Sequence, residues 1–395
     1  MTWISRRFHL LLLIGITTAA VLLRLHSLDA YAPWFDEALC YFQSQELAPL
    51  LNGASLSNNP PLFYLLLYSW GSICRDYVFL RLLSVFFGAA AVPLVYLLGR
   101  QLRSPGAGLW AALLLACSPL HVYYSQQIKM YALNCCMVLL AAVVAGRCAD
   151  RPSTGLLAAL SVTGAAMLYL HYYLFLPVLM VGCYIAISQF HEERRIGRAV
   201  WFGALVTLLY VPWLLVFFES HLGTTVDYVT TYIPRPGIRS LFYTLKNFAA
   251  GFHSFRVVYW PAALMVVAGC LAGLVRLVRD RALHWLLPWL LSVPPIAIVF
   301  ILSQWYPMYL DRYLLYALPP LLLITAHGYG RSRRWRMMPA VLVLLEIVSL
   351  PGVYNSRIPF LHHIPGEHER KPVKEAVAYL RQASAPADLV VHCCR

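Results

Sequence analysis

The chain has 395 residues, of which 60% are hydrophobic and only 12% are charged, and its formal net charge is +14. This composition excludes an ordinary soluble domain, in which about a quarter of the residues are charged. The positive charge would suggest nucleic-acid binding in a soluble protein. Here about half of the 31 Lys and Arg residues fall in short loops that can all lie on one side of a membrane. The charge therefore reports membrane topology and gives no case for a nucleic-acid partner.

The apolar residues recur in runs of about 17 to 23, the length that crosses a hydrocarbon core of roughly 30 Å as an α-helix. Because the runs lack the alternation of barrel strands, they predict an all-α polytopic membrane protein. With the amino terminus inside, about eleven transmembrane helices place the basic loops on the inner side. The predicted spans are 8–25, 77–99, 106–123 with a kink at Pro119, 131–146, two short spans within 154–190 hinged at His171 and Tyr172, 199–218, 257–275, 283–303, 313–329 and 337–354.

Residues 1–354 thus form one predicted transmembrane domain, with two large outer loops at 26–76 and 219–256. In the first loop, the apolar run from Pro61 to Cys74 is too short to cross comfortably and predicts an interfacial or re-entrant helix. The tail 355–395 predicts an amphipathic helix, a turn and the first strand of an outer α/β segment. We expect this segment to be the start of a domain that the chain does not complete.

Polar residues in several outer turns make the outer face the candidate site. Asp36 and Glu37 stand side by side in a chain with only 17 acidic residues, and a carboxylate can act as a general base. Lys129 and Arg312 suit a phosphate, Lys as a point charge and Arg as a bidentate fork. Together with apolar grooves for a lipid tail, these residues suggest a lipid-linked phosphate donor and an activated hydroxyl acceptor. Further candidates for the substrate site are Asn59, Gln126, Tyr131, His171 and Tyr172.

Each candidate also has a structural alternative that the sequence leaves open. Asp36 and Glu37 follow Pro33 and could occupy the first turn of a helix, where carboxylates favour the positive end of the helix dipole. Lys129 could snorkel to a lipid head group, and Arg312 could pair with Asp311. The remaining alternatives are a turn at Asn58 and Asn59, a polar cap at His171, and interfacial aromatic positions at Tyr131 and Tyr172.

Metal and disulfide signals are weak. Asp36 and Glu37 could recruit a divalent ion, but two adjacent carboxylates without further ligands do not predict a metal site. The ten cysteines show neither a CxxC motif nor a zinc spacing. Cys40 and Cys74 could bridge on the outer side, although sequence alone does not fix such a pairing.

Several segments together resemble a known family. They are WFDE at 34–37, NNPPLFYLLLYSWGSICRDYVFLRLLSVFFGAAAVPLVYLLGRQL at 58–102, SPLHVYYSQQIKMYAL at 118–133 and DRYLLYALPPLLLI at 311–324. They look like the polytopic GT-C glycosyltransferases, and most like family 39, the protein mannosyltransferase and lipid A aminoarabinose transferase group. The resemblance covers roughly residues 8–330. It implies the GT-C fold and inverting transfer of a sugar from an undecaprenyl- or dolichyl-phosphate donor to an acceptor hydroxyl of a glycan, lipid or protein. The reaction would take place at the periplasmic or exterior face of the plasma (cell inner) membrane.

The same resemblance implies roles for individual residues. Asp36 maps onto the catalytic base of the first outer loop, with Glu37 as its neighbour. Lys129 maps onto a basic residue of the second outer turn, where many relatives carry Arg, and Arg312 maps onto an element near the donor phosphate. Asn59 stands where relatives often have His before two prolines, so this chain departs from the family pattern at this position.

Two functions of other classes remain open. A transporter or flippase of a polyprenyl-linked lipid often has two similar halves and a site near the membrane midplane. This chain shows no internal repeat, and its polar groups cluster at one face, which favours an enzyme. A non-catalytic scaffold that receives a partner through its tail would show no loss of a glycan when Asp36 is changed.

Overall fold

The computed structural model describes residues 3–53, 59–221, 233–252, 254–330, 335 and 337–354, and within these ranges the regular structure is helical, without strands. Short 3-10 segments lie at Tyr172–Leu174, Leu283–Trp285 and Asp311–Ala317. The first helices are α1 (Trp3–Leu25), α2 (Phe35–Gln43), α3 (Leu47–Leu51), α4 (Leu62–Gly71), α5 (Tyr77–Gln101), α6 (Pro105–Cys117), α7 (Pro119–Ser125) and α8 (Tyr131–Asp150). They are followed by α9 (Thr154–Leu170), α10 (Phe175–Glu193), α11 (Gly197–His221), α12 (Ile238–Ala250), α13 (Arg256–Asp280), α14 (Leu286–Leu302), α15 (Leu318–Tyr329), α16 (Met338–Ser349) and α17 (Pro351–Tyr354).

The prediction of an all-α polytopic membrane protein is confirmed. Within the described chain, seven helical segments are long and apolar enough to cross a membrane, and the bent pair α6 and α7 makes an eighth if it counts as one span. Several shorter apolar helices, α9 among them, fall below that length, so the count of about eleven stays a prediction. The helix α4 has ten residues and rises only about 15 Å, half of a hydrocarbon core. That length fits the interfacial helix expected in the first loop.

The predicted kink at Pro119 is a sharp break, with α6 and α7 bent by 59°. Pro119 has no N–H to donate to the carbonyl of Leu115, so the break leaves helix carbonyls without their usual partners. The guanidinium of Arg24, at the end of α1, donates to the carbonyls of Leu115 (3.1 Å) and Ala116 (3.2 Å). Arg24 is fully buried, and it also contacts Nδ1 of His121 at 2.7 Å. This arginine therefore stabilises the broken span from inside the bundle.

The two short spans expected within 154–190 are α9 and α10, and their hinge lies at His171 as predicted. The extended backbone of His171 (φ −160°, ψ 136°) ends α9. Its Nδ1 then accepts a hydrogen bond from the N–H of Tyr173 (3.1 Å), which starts the 3-10 turn. The hinge thus fixes one imidazole between two helices.

The second large loop, 219–256, contains the 13-residue helix α12, which was not predicted from the sequence. Gly251 ends this helix with φ +72°, and a Cβ atom there would come within 2.8 Å of the Cβ of Pro119. Only glycine suits both the conformation and the close approach, so α12 ends directly against the break between α6 and α7. Residues 222–232, the tail 355–395 and Asn58 lie outside the described residues, and the predictions made for them stay predictions.

The long helices define two ends of the bundle. The helices α5, α8 and α13 carry arginine in their last turns, at Arg100, Arg147 and Arg279. His284, which follows α13, interacts electrostatically with Arg103 near the end of α5, so these helix ends meet at what we call the arginine-rich end. The first turns of α5, α8 and α13 lie at the opposite end, called the site end.

Candidate active site

Asp36, Lys129 and Arg312 converge at the site end from three separate parts of the chain. Asp36 lies in the first turn of α2, Lys129 in the turn between α7 and α8, and Arg312 in the 3-10 segment before α15. Oδ2 of Asp36 is 3.9 Å from Nζ of Lys129 and 4.0 Å from Nη2 of Arg312. The Asp36 side chain is 22% exposed, whereas the Lys129 and Arg312 side chains are 6% and 9% exposed. The site is an accessible carboxylate flanked by two buried cations.

Glu37 has a different environment from Asp36, because neighbours on a helix point about 100° apart. Its carboxylate is buried and forms a two-point ion pair with Arg81 of α5, at 2.9 Å (Nε to Oε1) and 3.0 Å (Nη2 to Oε2). Oε1 also accepts from the N–H of Ile128 (2.9 Å), and Oε2 from the N–H of Trp34 (3.4 Å). These four donors occupy both oxygens, so the geometry favours a positioning role for Glu37.

Lys129 is held in place by its backbone. Ile128, which donates to Glu37, precedes it, and the carbonyl of Lys129 accepts from Oγ of Ser84 on α5 (3.1 Å). Burial lowers the pKa of Lys129, but the neighbouring Cys40 and Asp36 more than offset this, and the pKa lies above its ordinary value. The ammonium is therefore charged at neutral pH and faces the Asp36 carboxylate.

Asp311 and Arg312, adjacent in sequence, turn to different partners. Arg312 faces Asp36, and its guanidinium carbon lies 5.9 Å from the ring centre of Trp34 and 5.4 Å from that of Tyr313. Asp311 instead accepts hydrogen bonds from Thr244 and from Nδ2 of Asn247 (2.5 Å), both on α12. The alternative in which Asp311 serves as the ion-pair partner of Arg312 is not what this geometry shows.

The Asp311 contacts belong to a second buried polar cluster, formed by Thr244, Lys246, Asn247, Tyr309 and Asp311. The Tyr309 and Thr244 hydroxyls lie 2.8 Å apart, and Nζ of Lys246 donates to Oδ1 of Asn247 (3.0 Å) and to the carbonyl of Phe252 (2.8 Å). Burial lowers the pKa of Lys246 to about 8 and raises that of Asp311. The sequence marked Lys246 only as one of several basic residues in the 219–256 loop. Its clustering with Asp311 depends on how α12 packs beside the Arg312 turn.

An aromatic wall lies beside the cations. The ring of His171 is 5.1 Å from Tyr313, 5.3 Å from Tyr173 and 6.5 Å from Tyr131, centre to centre. Burial, together with the nearby Lys129 and Arg312, lowers the pKa of His171 to about 3. With Nδ1 accepting from Tyr173, the neutral imidazole carries its proton on Nε2. His171 is thus a neutral polar group in the wall.

The other predicted residues fall at different distances from the site. Asn59 donates to the hydroxyl of Tyr64 (3.5 Å), and Tyr64 interacts electrostatically with Lys129. Asn59 is thus linked to the lysine through Tyr64. Gln126 donates to the carbonyls of Arg24 (3.1 Å) and His26 (2.8 Å), and these bonds join the turn before Lys129 to the end of α1.

Tyr172 turns away from the site and packs against Phe217 of α11. Its neighbour Tyr173, which was not predicted as a site residue, lies in the aromatic wall instead.

The donor set around Asp36 does not fit a divalent metal. The two oxygens of Glu37 are occupied by Arg81 and backbone N–H groups, and the neighbours of Asp36 are cations rather than oxygen ligands. Within the described ranges, no group of three or more His, Cys, Asp and Glu side chains lies close enough to hold a metal ion.

Cys40 and Cys74 are both free thiols, one buried and one exposed. The disulfide bond that the sequence allowed between them is not present in the structure.

Residues 58–216 match the sequence profile of a family described as dolichyl-phosphate-mannose-protein mannosyltransferase. A search of curated proteins finds no match. Among solved structures, ArnT from Cupriavidus metallidurans bound to undecaprenyl phosphate has a TM-score of 0.62 at 16% identity, over 83% of this chain and 62% of that one. The chain therefore has the fold expected from the resemblance, that of the GT-C membrane glycosyltransferases. The fold class inferred from the sequence motifs is confirmed.

Other structures of this GT-C fold come from Archaeoglobus fulgidus. Its oligosaccharyltransferase in complex with Zn and sulfate matches with a TM-score of 0.55 at 14% identity, over 95% of this chain and 56% of that one. The oligosaccharyltransferase AglB in complex with an inhibitory peptide and a dolichol-phosphate matches with a TM-score of 0.56 at 13% identity, over 98% and 59%. This chain therefore spans between 56% and 62% of the length of these proteins.

Proposed function

We propose that this protein transfers a sugar from a polyprenyl-phosphate donor to an acceptor hydroxyl, at the outer face of the plasma (cell inner) membrane. The supporting observation is the partly exposed Asp36 carboxylate with two buried cations within 4.0 Å of it. This arrangement combines a base with a phosphate-binding pair. The similar structures of ArnT and AglB hold undecaprenyl phosphate and a dolichol-phosphate, which supports a lipid phosphate as the donor class.

In the proposed reaction, Asp36 takes the proton of the acceptor hydroxyl while its oxygen attacks the anomeric carbon of the sugar. The bond between that carbon and the phosphate oxygen breaks, and its electron pair leaves with the polyprenyl phosphate. Attack opposite to the leaving group inverts the anomeric configuration. General-base assistance of this kind contributes about a hundred- to ten-thousand-fold in rate, and Asp36 is suited to it because its side chain is accessible.

Lys129 and Arg312 would stabilise the departing phosphate. Negative charge grows on the phosphate oxygens as the bond breaks, and fixed cations in a partly buried site stabilise it without reorganisation. Their separations from Oδ2 of Asp36, 3.9 and 4.0 Å, are longer than hydrogen bonds. Both cations thus lie close enough to hold a phosphate beside the base.

The site end would face the exterior. The arginine-rich end, with Arg100, Arg147 and Arg279, is favoured on the cytoplasmic side by the positive-inside rule. The base and both cations then lie on the opposite side, where an envelope acceptor is available.

The deciding experiment compares Asp36→Asn with Glu46→Gln, a carboxylate-to-amide change at an exposed position in the same loop. A strain lacking the gene is restored with each variant, and the masses of its envelope glycans and glycolipids are measured. We expect Asp36→Asn to leave the product one sugar short at normal membrane levels of the protein, while Glu46→Gln restores it. Full restoration by Asp36→Asn would contradict the base assignment and favour a scaffold. Accumulation of an unused lipid-linked sugar on the cytoplasmic side would favour a flippase.

A further inference from the structure

A groove opens on the surface of the bundle at the arginine-rich end, far along α13 from the Asp36 site. Its volume is about 780 Å³, within the roughly 300 to 1,000 Å³ typical of ligand sites. Its walls come from α13, the end of α15 and the beginning of α16. The residues that line it are Leu264, Met265, Ala268, Ala272, Val275, Arg276, Arg279, Gly328, Tyr329, Trp335 and Met338.

The groove has the length of one membrane leaflet. From Leu264 to Arg279 the helix rises about 22 Å, somewhat more than half of a hydrocarbon core of roughly 30 Å. Ala268 and Ala272, one turn apart, form part of the lining, and each contributes only a methyl group. These small side chains leave room for a chain-like apolar ligand along α13.

Close helix packing keeps the groove in shape. A Cβ atom at Gly328 of α15 would come within 1.9 Å of the carbonyl oxygen of Gly269 on α13, so the two backbones are in direct contact. Gly269 and Gly273 form the small-residue spacing that allows such an approach in membranes. The hydroxyl of Tyr329 also donates to the carbonyl of Met265 (2.6 Å). The groove is therefore built on two firmly joined helices.

One end of the groove is basic. Arg276 and Arg279 both line it and lie on one face of α13, three residues apart. Arg276 donates to the carbonyl of His327 in α15, and Arg279 is exposed. The described lining includes these two arginines and no carboxylate. An apolar groove that ends in two cations is complementary to a lipid with an anionic head group, and basic pockets between membrane helices on the cytoplasmic side bind such lipids.

We infer that this groove binds an anionic phospholipid of the cytoplasmic leaflet, with one acyl chain along Ala268 and Ala272 and its phosphate at Arg276 and Arg279. The sugar donor is a poor occupant, because a donor phosphate at Arg279 would lie at the opposite end of the bundle from Asp36. The site is thus separate from the proposed transfer reaction and can be tested without a glycosyltransferase assay.

The test measures which lipids stay with the purified full-length protein. The protein is incubated in detergent with equal amounts of phosphatidylglycerol and phosphatidylcholine and purified again, and the retained lipids are quantified by mass spectrometry. We expect the unchanged protein to retain phosphatidylglycerol in preference. Arg279→Gln should lower this retention about tenfold, since the loss of one charge-assisted contact is worth at least that factor. Arg151→Gln, at an exposed arginine of the same end outside the groove, is the matched control and should retain as much as the unchanged protein.

A second pair of variants tests the acyl-chain part of the site. Ala272→Trp and, independently, Ala268→Phe should fill the groove and lower the retention of phosphatidylglycerol while size-exclusion profiles stay monodisperse. Equal retention of both lipids by the unchanged protein would overturn the proposal. An equal loss of phosphatidylglycerol retention in Arg151→Gln would also overturn it, because it would indicate attraction to surface charge in general. Full retention of phosphatidylglycerol in both groove-filling variants would overturn it as well.

Discussion

The carboxylate of Glu37 and the guanidinium of Arg81 form a buried two-point ion pair, at 2.9 and 3.0 Å, that joins α2 to α5. Arg81 also donates to the carbonyls of Leu28 (2.8 Å) and Tyr31 (3.0 Å), which fixes the connection between α1 and α2. Through Ile128, the same carboxylate holds the turn that carries Lys129. One buried pair therefore sets the positions of both Asp36 and Lys129.

We expect Glu37→Leu and Arg81→Leu to act through stability. Removing one partner of a buried ion pair costs about 3 to 5 kcal/mol, because the other charge stays buried without compensation. Both variants should show a lower membrane abundance and a lower thermal unfolding midpoint, whereas Asp36→Asn should keep both and lose activity. If Glu37→Leu is as abundant and stable as the unchanged protein but loses activity as Asp36→Asn does, Glu37 is part of the chemistry.

Lys129→Gln and Arg312→Gln should weaken the binding of the lipid-phosphate donor. A hydrogen bond to a charged group is worth about 1.5 to 3 kcal/mol, so each change should raise the apparent donor KM by roughly 10- to 100-fold. Arg75→Gln is the matched control, because Arg75 is an exposed cation of the same end whose side chain donates to the carbonyl of Gln45 (3.3 Å). An unchanged donor KM in the double variant would exclude phosphate binding by this pair.

The main site could be predicted from sequence because scarce charges in three outer turns were expected on one face. Asp36, Lys129 and Arg312 are such charges, and the structure brings them together. The partners of these residues could not be predicted in the same way. The pairing of Glu37 with Arg81 depends on how α2 packs on α5, and no local pattern specifies it.

Other contacts could not be predicted because they depend on the exact backbone geometry of a turn or of a helix break. Tyr172 and Tyr173 are adjacent, and only the 3-10 turn after His171 decides which ring joins the aromatic wall. Arg24 donates to the carbonyls of Leu115 and Ala116, which lie at the 59° break between α6 and α7. Pro119 indicated the break in the sequence, but nothing in the sequence indicated that Arg24 would donate to its carbonyls.

Asn247 should act as a positioning residue for Arg312. It donates to the buried carboxylate of Asp311, which precedes Arg312 in the 3-10 segment. Asn247→Leu leaves this carboxylate with one fewer donor, and we expect the segment to shift and the donor KM to rise several-fold. Asn247→Ser, which keeps a side-chain donor, should recover part of the effect. Ser240→Ala, on the same helix but only partly buried, is the control, and an equal change there would point to a general loosening of α12.

His171 should make the folded protein sensitive to acid. Its pKa is about 3 in the folded protein and about 6.5 in an unfolded chain. Between these values the unfolded chain binds a proton that the folded protein does not, so stability rises with pH in this window. The contribution of His171 is fully present above about pH 6.5 and is lost as the pH falls towards about 3. In His171→Gln, the thermal unfolding midpoint should decrease less as the pH falls over this range. His191→Gln, at an exposed histidine, is the control. An equally reduced pH dependence in that control would contradict the assignment of the effect to His171.

Cys74 offers a direct test of the orientation of the site. It is an exposed free thiol in the connection between α4 and α5, at the site end. If this end faces the exterior, a membrane-impermeant maleimide should label Cys74 in intact spheroplasts, because the reagent reaches only thiols on the outer side. The experiment uses a Cys393→Ser, Cys394→Ser background to remove the thiols of the tail, and adding Cys74→Ser should abolish the label. Labelling that appears only after the membrane is inverted or opened would place Asp36, Lys129 and Arg312 on the cytoplasmic side, where an envelope acceptor could not reach them.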